Sequence, residues 1–346
     1  MHAGVTAAVR RLWRWLPQRT RASASALVRE AMTETDPNAR AVAPAPRWGL
    51  PASELLVARL APEDVAAVEA VLEGTERAYW DQADELGRKQ LTVVYGVWHK
   101  IPAILEKTGL RAEMPPEDVH SMARGPLAAG GAVYYADLLG AAMQRVGADL
   151  GDVRSGLDFG CSSGRVVRAL AATWPQADWH GCDPNEGAIA WAREHLPGIE
   201  FLRSPQDPPL PYRDGQFDFA CAISIWSHYG EQAAIAWLEE MRRVVAPGGR
   251  LLLTAHGLQS VAHYASERHP GQLERIRAAL YREGFWFADE FGAEGDWGVK
   301  HPQWGTSFLS PEWLLARATP RWVVEELAVG ANAGNQDVYV LRRAQP

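Results

Sequence analysis

Asp158, Gly160, Ser162 and Gly164 stand two apart at the end of an apolar run, and Asp183 follows about 20 residues beyond them. Glycines at such a corner let backbone lie against a ligand, with Cys161 between them. An acid at the end of the next strand can accept hydrogen bonds from both hydroxyls of a ribose, with Pro184 beside it. This spacing suits the holding of an adenosine-type cofactor. The run Asp183-Pro184-Asn185-Glu186 also begins a helix well, so a helix cap is a second role for the same carboxylate.

The residue order selects among cofactors. A dinucleotide fingerprint requires G-x-G-x-x-G, and here Ser162 and Arg165 take the places of its second and third glycines. Asp158 at the strand end opposes a pyrophosphate and suits an ammonium group. S-adenosylmethionine carries adenosine, an α-amino group and a sulfonium, and no phosphate. The stretch Asp158–Gly164 resembles motif I of the class I S-adenosylmethionine-dependent methyltransferases, with Ser162 in place of the usual middle glycine. Serine fits there on the condition that its φ stays negative.

That resemblance extends over residues 130–343 and implies further roles. Gln206 and Asp207, after the third strand, match the stretch that contacts adenine. Ile223 and Ser224, at the end of strand four, are expected along the cofactor. Tyr134 and Tyr135 precede the first strand, where the family often covers the methionine end. His228 is the general-base candidate, because an imidazole with an ordinary pKa of about 6.5 takes a proton from a hydroxyl or amine. His256 and His301 are further candidates for that role. No clustered acids and amides suggest a metal-dependent enzyme, so no metal is expected. The endings Gly305–Ser310 and Asn335–Leu341 look like bacterial methyltransferases acting on saccharides or natural products.

The elements that must position these residues follow from periodicity. Residues 52–126 read as helices: Ser53 caps Glu54–Leu60, Pro62 opens a second helix, and a long pattern covers about Glu76–Leu105. Gly131–Val146 is a helix leading into a strand at Arg154–Phe159. Helices then alternate with strands at Ala177–Cys182, Ile199–Leu202, Phe217–Ser224 and Arg250–Ala255, which implies a parallel sheet covered on both faces. Arg321–Ala328 and Asp337–Leu341 leave room only for an antiparallel hairpin. The expected fold is therefore α/β and Rossmann-like: a mostly parallel seven-stranded sheet with an antiparallel C-terminal hairpin and an N-terminal helical region. The expected division is a basic tail and linker at 1–50, a helical cap region at 51–128 and a cofactor-binding domain at 129–346. That domain carries an insertion at 257–310. The insertion holds Tyr264, Tyr281, Phe285, Trp286, Phe287, Phe291, Trp297, Trp304 and Phe308, an aromatic set that suits either an acceptor wall or a subdomain core.

With 346 residues and 47% hydrophobic content, the chain can build one large domain and a smaller one. A net charge of −7 opposes general nucleic-acid binding. Cys161, Cys182 and Cys221 fall at strand ends and read as small buried residues in a reducing cytoplasm, where the protein is expected. Arg10, Arg11, Arg14, Arg19 and Arg21 accompany Val5, Val9, Leu12, Trp13 and Leu16 at helical spacing. Residues 1–22 thus fit a loosely ordered tail or self-packed helix, or a weak contact with an anionic membrane surface. The expected activity is methyl transfer from S-adenosylmethionine to a hydroxyl or amine of a small-molecule acceptor, a sugar or secondary metabolite. The competing classes are a non-catalytic S-adenosylmethionine-binding partner subunit and a nicotinamide-dependent oxidoreductase.

Overall fold

The computed structural model describes residues 49–116, 119, 131–267, 271–296 and 299–345. The basic segment 1–22 and Trp297 lie outside the described residues. Seven strands form one sheet in the order β3-β2-β1-β4-β5-β9-β8. They are β1 (Ser155–Phe159), β2 (Asp178–Asp183), β3 (Glu200–Arg203), β4 (Phe217–Ala222), β5 (Val245–Ala255), β8 (Trp322–Asn332) and β9 (Gln336–Arg343). The first five run parallel, and β9 pairs antiparallel with both β5 and β8. The strand order reverses between β1 and β4, which opens a crevice at the carboxyl ends of both, the usual ligand position in open α/β sheets.

Five helices precede the sheet: α1 (Pro51–Val57), α2 (Pro62–Val71), α3 (Gly74–Gln82), α4 (Glu85–Trp98) and α5 (Pro102–Thr108). The long helical pattern expected over 76–105 is divided into three. Asp84 caps α4 through the Gly87 N–H (2.8 Å), and Pro102 opens α5 at its first turn. Ser53 does not cap a helix. It lies inside α1, fully buried, and gives its N–H and hydroxyl to the two oxygens of Asp137 at 2.9 and 2.6 Å. Asp137 belongs to α6 (Ala132–Arg145) and also accepts from Gln90 of α4 (2.9 Å), so one buried carboxylate joins three helices. Burial raises it to about 6, partly offset by those donors.

The sheet's helices are α7 (Arg165–Thr173), α8 (Glu186–His195) and α9 (Glu231–Val244). One apolar cluster runs from Ala52, Leu56 and Val97 through Leu139 to Leu170, Phe219 and Val340, so the N-terminal helices share the sheet's core. The insertion folds as α10 (Leu258–Glu267), α11 (Leu273–Glu283), β6 (Phe285–Ala288) and β7 (Thr306–Leu309), followed by α12 (Pro311–Ala318). β6 and β7 pair antiparallel as a second small sheet. The aromatic set divides accordingly. Tyr264 and Phe308 sit in the insertion's own core, Phe285 is buried in the sheet's second apolar cluster, and Tyr281 faces solvent at 81% exposure. No described helix is long and apolar enough to cross a membrane.

Candidate functional site

The turn between β1 and α7 builds the floor of the crevice. Gly160 has φ +77°, and a Cβ there would stand 2.1 Å from Cδ1 of Ile225, so this position demands glycine. The N–H groups of Gly160 and Cys161 both donate to the Cys182 carbonyl, at 2.9 and 3.1 Å, which ties the turn to β2. Gly164 adopts φ +79° at the start of α7.

Ser162 departs from expectation. Its φ is +50°, not negative, a conformation that costs a side-chain-bearing residue about 1–2 kcal/mol. The Ser162 N–H donates to Asp183 Oδ2 (2.9 Å), which holds the strained turn in place. Its Oγ is shielded from solvent and has no hydrogen-bond partner among the described residues.

Asp183, at the end of β2, is half-buried. Its other oxygen accepts the Asn185 N–H (2.8 Å), and Asn185, not Asp183, caps α8 through the Ala188 N–H. Two bonds leave lone pairs on a carboxylate that accepts up to about four. Burial raises this carboxyl to about 6. Pro184 beside it accepts from Arg203 Nε through its carbonyl (3.3 Å).

Asp158 corrects the reading of a direct ammonium partner. It is 2% exposed, paired in register with Gly181 and Cys221, and both oxygens are engaged inside the protein. Oδ2 accepts the Val167 N–H of α7 (3.1 Å), and Oδ1 accepts the Cys221 thiol at 3.7 Å. Its place is under the turn, anchoring α7. Burial pushes its carboxyl up to about 7, against the opposing pull of Val167 and Cys221. An unfolded chain releases this proton near pH 4 and the folded protein holds it to about 7. The folded state therefore loses stability as pH rises through that window. Asp158→Asn should gain thermal midpoint relative to the parent between about pH 5 and about pH 8. A pH-independent difference between the two would refute the assignment.

Two segments reach the crevice from strands four and five. After β4, Ile223 packs against the core, and Ser224 has φ +63°. The Ser224 N–H donates to Thr254 Oγ1 (2.7 Å), and its Oγ accepts from Gln336 Nε2 (2.7 Å). Thr254 and Asn332 both donate to Gln336 Oε1, at 2.8 and 2.9 Å, while the Tyr134 hydroxyl accepts the Ala333 N–H (2.7 Å). A buried polar network thus joins the cofactor-side loop to the turn of the C-terminal hairpin. Nothing in the spacing of Gln336 announced this. It comes from a hairpin turn folding back over the sheet's end.

The histidines separate by their partners. His228 Nδ1 lies 2.8 Å from the Gly305 carbonyl, which only accepts, so Nδ1 carries the proton and the neutral ring's lone pair is on Nε2. The ring stacks on Trp304 at 4.8 Å, with Phe291 at 6.2 Å. His256 repeats the device two residues further along the chain: Nδ1 meets the Ser307 carbonyl of β7 at 3.1 Å and the ring stacks on Phe308. His301 is removed from the base candidates. Its Nδ1 accepts the Gln303 N–H (3.1 Å), which leaves the proton on Nε2, 3.3 Å from Asp207. Gln206 accepts the Lys300 N–H (3.0 Å), so Gln206 and Asp207 latch the loop after β3 to the insertion.

The insertion crosses the carboxyl end of the sheet. Ser307 N–H donates to Ser227 (2.9 Å), Gly305 N–H to His228 (2.8 Å) and Leu309 N–H to His256 (2.9 Å). The cysteines are buried and free. Arg168, missed in the sequence, is buried in α7 with its guanidinium on the carbonyls of Arg111, Glu113 and Ser163. A charge on the otherwise apolar face of that helix was the available signal.

The profile of a family described as "Methyltransferase domain" matches residues 157–249, which span β1 to the start of β5. Residues 157–249 therefore resemble a methyltransferase domain, on a sheet with the strand order and closing hairpin described above. Among curated relatives, a probable tRNA methyltransferase 9B from Mus musculus is 30% identical over 41% of this chain and 30% of its own length. A trans-aconitate 2-methyltransferase from Methylobacterium nodulans is 30% identical over 34% of this chain and 44% of its own. The chain thus spans less than half of either relative. A SAM-dependent methyltransferase structure from Methanosarcina mazei covers 57% of this chain and 94% of its own at 20% identity, TM-score 0.42. One from Mesorhizobium loti covers 58% and 96% at 15% identity, TM-score 0.40.

The cofactor of such a methyltransferase domain is S-adenosylmethionine, and the residues of the crevice fit it. The Asp183 carboxylate retains acceptor capacity for a diol. Gly160 leaves the turn bare of side chain, and the solitary Ser162 hydroxyl lies in the same turn.

Proposed function

We propose that this chain transfers the methyl group of S-adenosylmethionine to a hydroxyl or amine of a small-molecule acceptor, a sugar or secondary metabolite, with His228 as general base. The observation that supports the reading is the Gly305–His228 bond, which puts the proton on Nδ1 of a ring that follows β4, the strand next to β1 in the sheet. The net charge of −7 favours a small acceptor over a nucleic acid. In this reading Asp183 and Pro184 hold the ribose, Gly160, Cys161, Ser162 and Gly164 line the tail, and Gln206, Asp207, Ile223 and Ser224 border the nucleoside. Residues 51–128 act as a cap, and residues 257–310 roof the acceptor.

When bound, the cofactor supplies an already activated methyl group for in-line displacement. The protein's share is alignment and a proton path. Nε2 of His228 takes the proton from the acceptor hydroxyl, and the Gly305 carbonyl keeps the resulting imidazolium oriented through Nδ1–H. Trp304 and Phe291 flank the ring and limit water. His256, held the same way, stands as a second base along β7.

The test is incubation of the full-length protein with methyl-labelled cofactor and a host small-molecule extract, read by mass spectrometry. The expected result is a labelled product whose rate of formation falls about 100-fold in His228→Asn, with unchanged S-adenosylhomocysteine affinity. A loss below about tenfold removes His228 from the role. Nucleoside binding with no labelled product points to a non-catalytic partner subunit, and binding of NAD in its place to an oxidoreductase.

A further inference from the structure

Two imidazoles meet β7 in the same way. His228 follows β4 and His256 follows β5, neighbouring strands of the sheet. The first bonds through Nδ1 to the Gly305 carbonyl, the second to the Ser307 carbonyl two residues on. The chain there is extended, and the N–H groups of Gly305, Ser307 and Leu309 all donate to the segments after β4 and β5. Side chains alternate along such a run, so Trp304, Thr306 and Phe308 share one face. His228 stacks on Trp304 at 4.8 Å and His256 on Phe308 at 5.0 Å, which puts the two rings at opposite ends of that face.

The chemistry of the face is one-sided. Both carbonyls only accept, so each ring carries its proton on Nδ1 and has its lone pair at Nε2. Between the rings, Thr306 gives its hydroxyl to Glu290 Oε2 (2.8 Å), and Tyr264 gives its own to Glu290 Oε1. Imidazole lone pairs and a carboxylate all accept hydrogen bonds. Such a wall suits a ligand rich in hydroxyl donors and opposes one that carries a carboxylate or phosphate. The spacing adds a size. Carbonyls two residues apart on a strand lie about 7 Å from each other, and side chains four residues apart about 13 Å, so the rings stand between those limits. A single hydroxyl, with hydrogen bonds of about 2.8 Å, reaches one ring and not the other. A six-membered ring with hydroxyls on both sides reaches both.

We propose that the acceptor is a neutral cyclic polyol held at two points, its reacting hydroxyl on His228 Nε2 and a second hydroxyl on His256 Nε2. The inference rests on the methyltransferase reading of the crevice and narrows it to one acceptor chemistry. β4 lies beside β1, so His228 takes the hydroxyl that reacts. β5 lies one strand further out, and the His256 lone pair there holds the acceptor rather than deprotonating it. His256 thereby decides which hydroxyl is presented.

The full-length protein tests this with methyl-labelled S-adenosylmethionine and a host small-molecule extract, used as prepared or after periodate oxidation and sulfite quenching. Periodate cleaves the bond between carbons that bear adjacent hydroxyls. Labelled product should form from the first extract and be lost from the second, and the acceptor should pass unretained through an anion exchanger. His256→Asn keeps an amide for the Ser307 carbonyl and removes Nε2. It should raise about tenfold the extract concentration needed for half-maximal rate, with plateau rate and S-adenosylhomocysteine affinity within about twofold of the parent. His256→Gln, which returns an amide towards the place of Nε2, should recover part of the loss. Product that survives oxidation, or an acceptor retained on the exchanger, would overturn the proposal and leave the methyltransferase reading standing. So would a His256→Asn variant that lowers the plateau instead, which makes the ring a base, or one that changes neither quantity. S-adenosylhomocysteine binding with no labelled product from either extract would overturn both.

Discussion

Replacing Asp183 with alanine should weaken S-adenosylhomocysteine binding about 1,000-fold or more, measured by calorimetry. Two bonds from ribose hydroxyls to one carboxylate contribute about 1.5–3 kcal/mol each. The loss is larger than the ribose contacts alone, because Asp183 Oδ2 also restrains Ser162 at a φ of +50°. The fold should survive, since Asn185 caps α8 independently. The parent protein adds a pH signature. Burial raises the Asp183 carboxyl to about 6, so affinity falls as pH drops through about 6 and the acid takes up its proton. That fall should vanish in the alanine variant. An alanine variant within about threefold of the parent at neutral pH would end the assignment of the crevice.

Gly305→Ala should act on the opposite side of the site. A Cβ there would stand 2.1 Å from the Ala288 carbonyl oxygen and 2.9 Å from the Phe287 ring. Backbone cannot swing aside as a side chain does, so β6 and β7 must separate, at a cost of about 3 kcal/mol. The Gly305 carbonyl then leaves His228 Nδ1, and the ring loses the bond that selects its tautomer. The expected result is a drop in labelled-product formation of about 100-fold or more, with nucleoside affinity near that of the parent. Ring nitrogen shifts of His228 in NMR should show a mixture of tautomers. Retained protection of the β7 amides in hydrogen exchange would mean that the strand tolerates the methyl group, and the idea fails.

The parallel strands and the closing hairpin were legible in the chain because apolar runs, turns and helical patterns alternate there at short range. The place of Asp183 at the end of β2 was legible for the same reason: its spacing from Gly160 is local. Three features were not. The φ of Ser162 depends on Asp183 across the turn, so residue type alone pointed to the wrong sign. His301 and His228 look alike in sequence, and only their partners, Gln303 and Asp207 against Gly305, put the ring proton on Nε2 of one and Nδ1 of the other. Ser53 resembled a cap, yet its hydroxyl answers Asp137, 84 residues on.

The matched stretch begins at Leu157, but the physical unit does not. Asp137 is buried with donors from Ser53 and Gln90, and Leu56 and Val97 lie in the same apolar cluster as Leu170 and Phe219. A protein trimmed to residues 130–346 would strand the Asp137 carboxylate without Ser53 and Gln90 and bare an oily flank along α6 and α7. Similarity to relatives marks where an inherited chemistry resides. In this chain, the helices from Pro51 to Thr108 share that cluster with the sheet, so unfolding is expected to be cooperative across both.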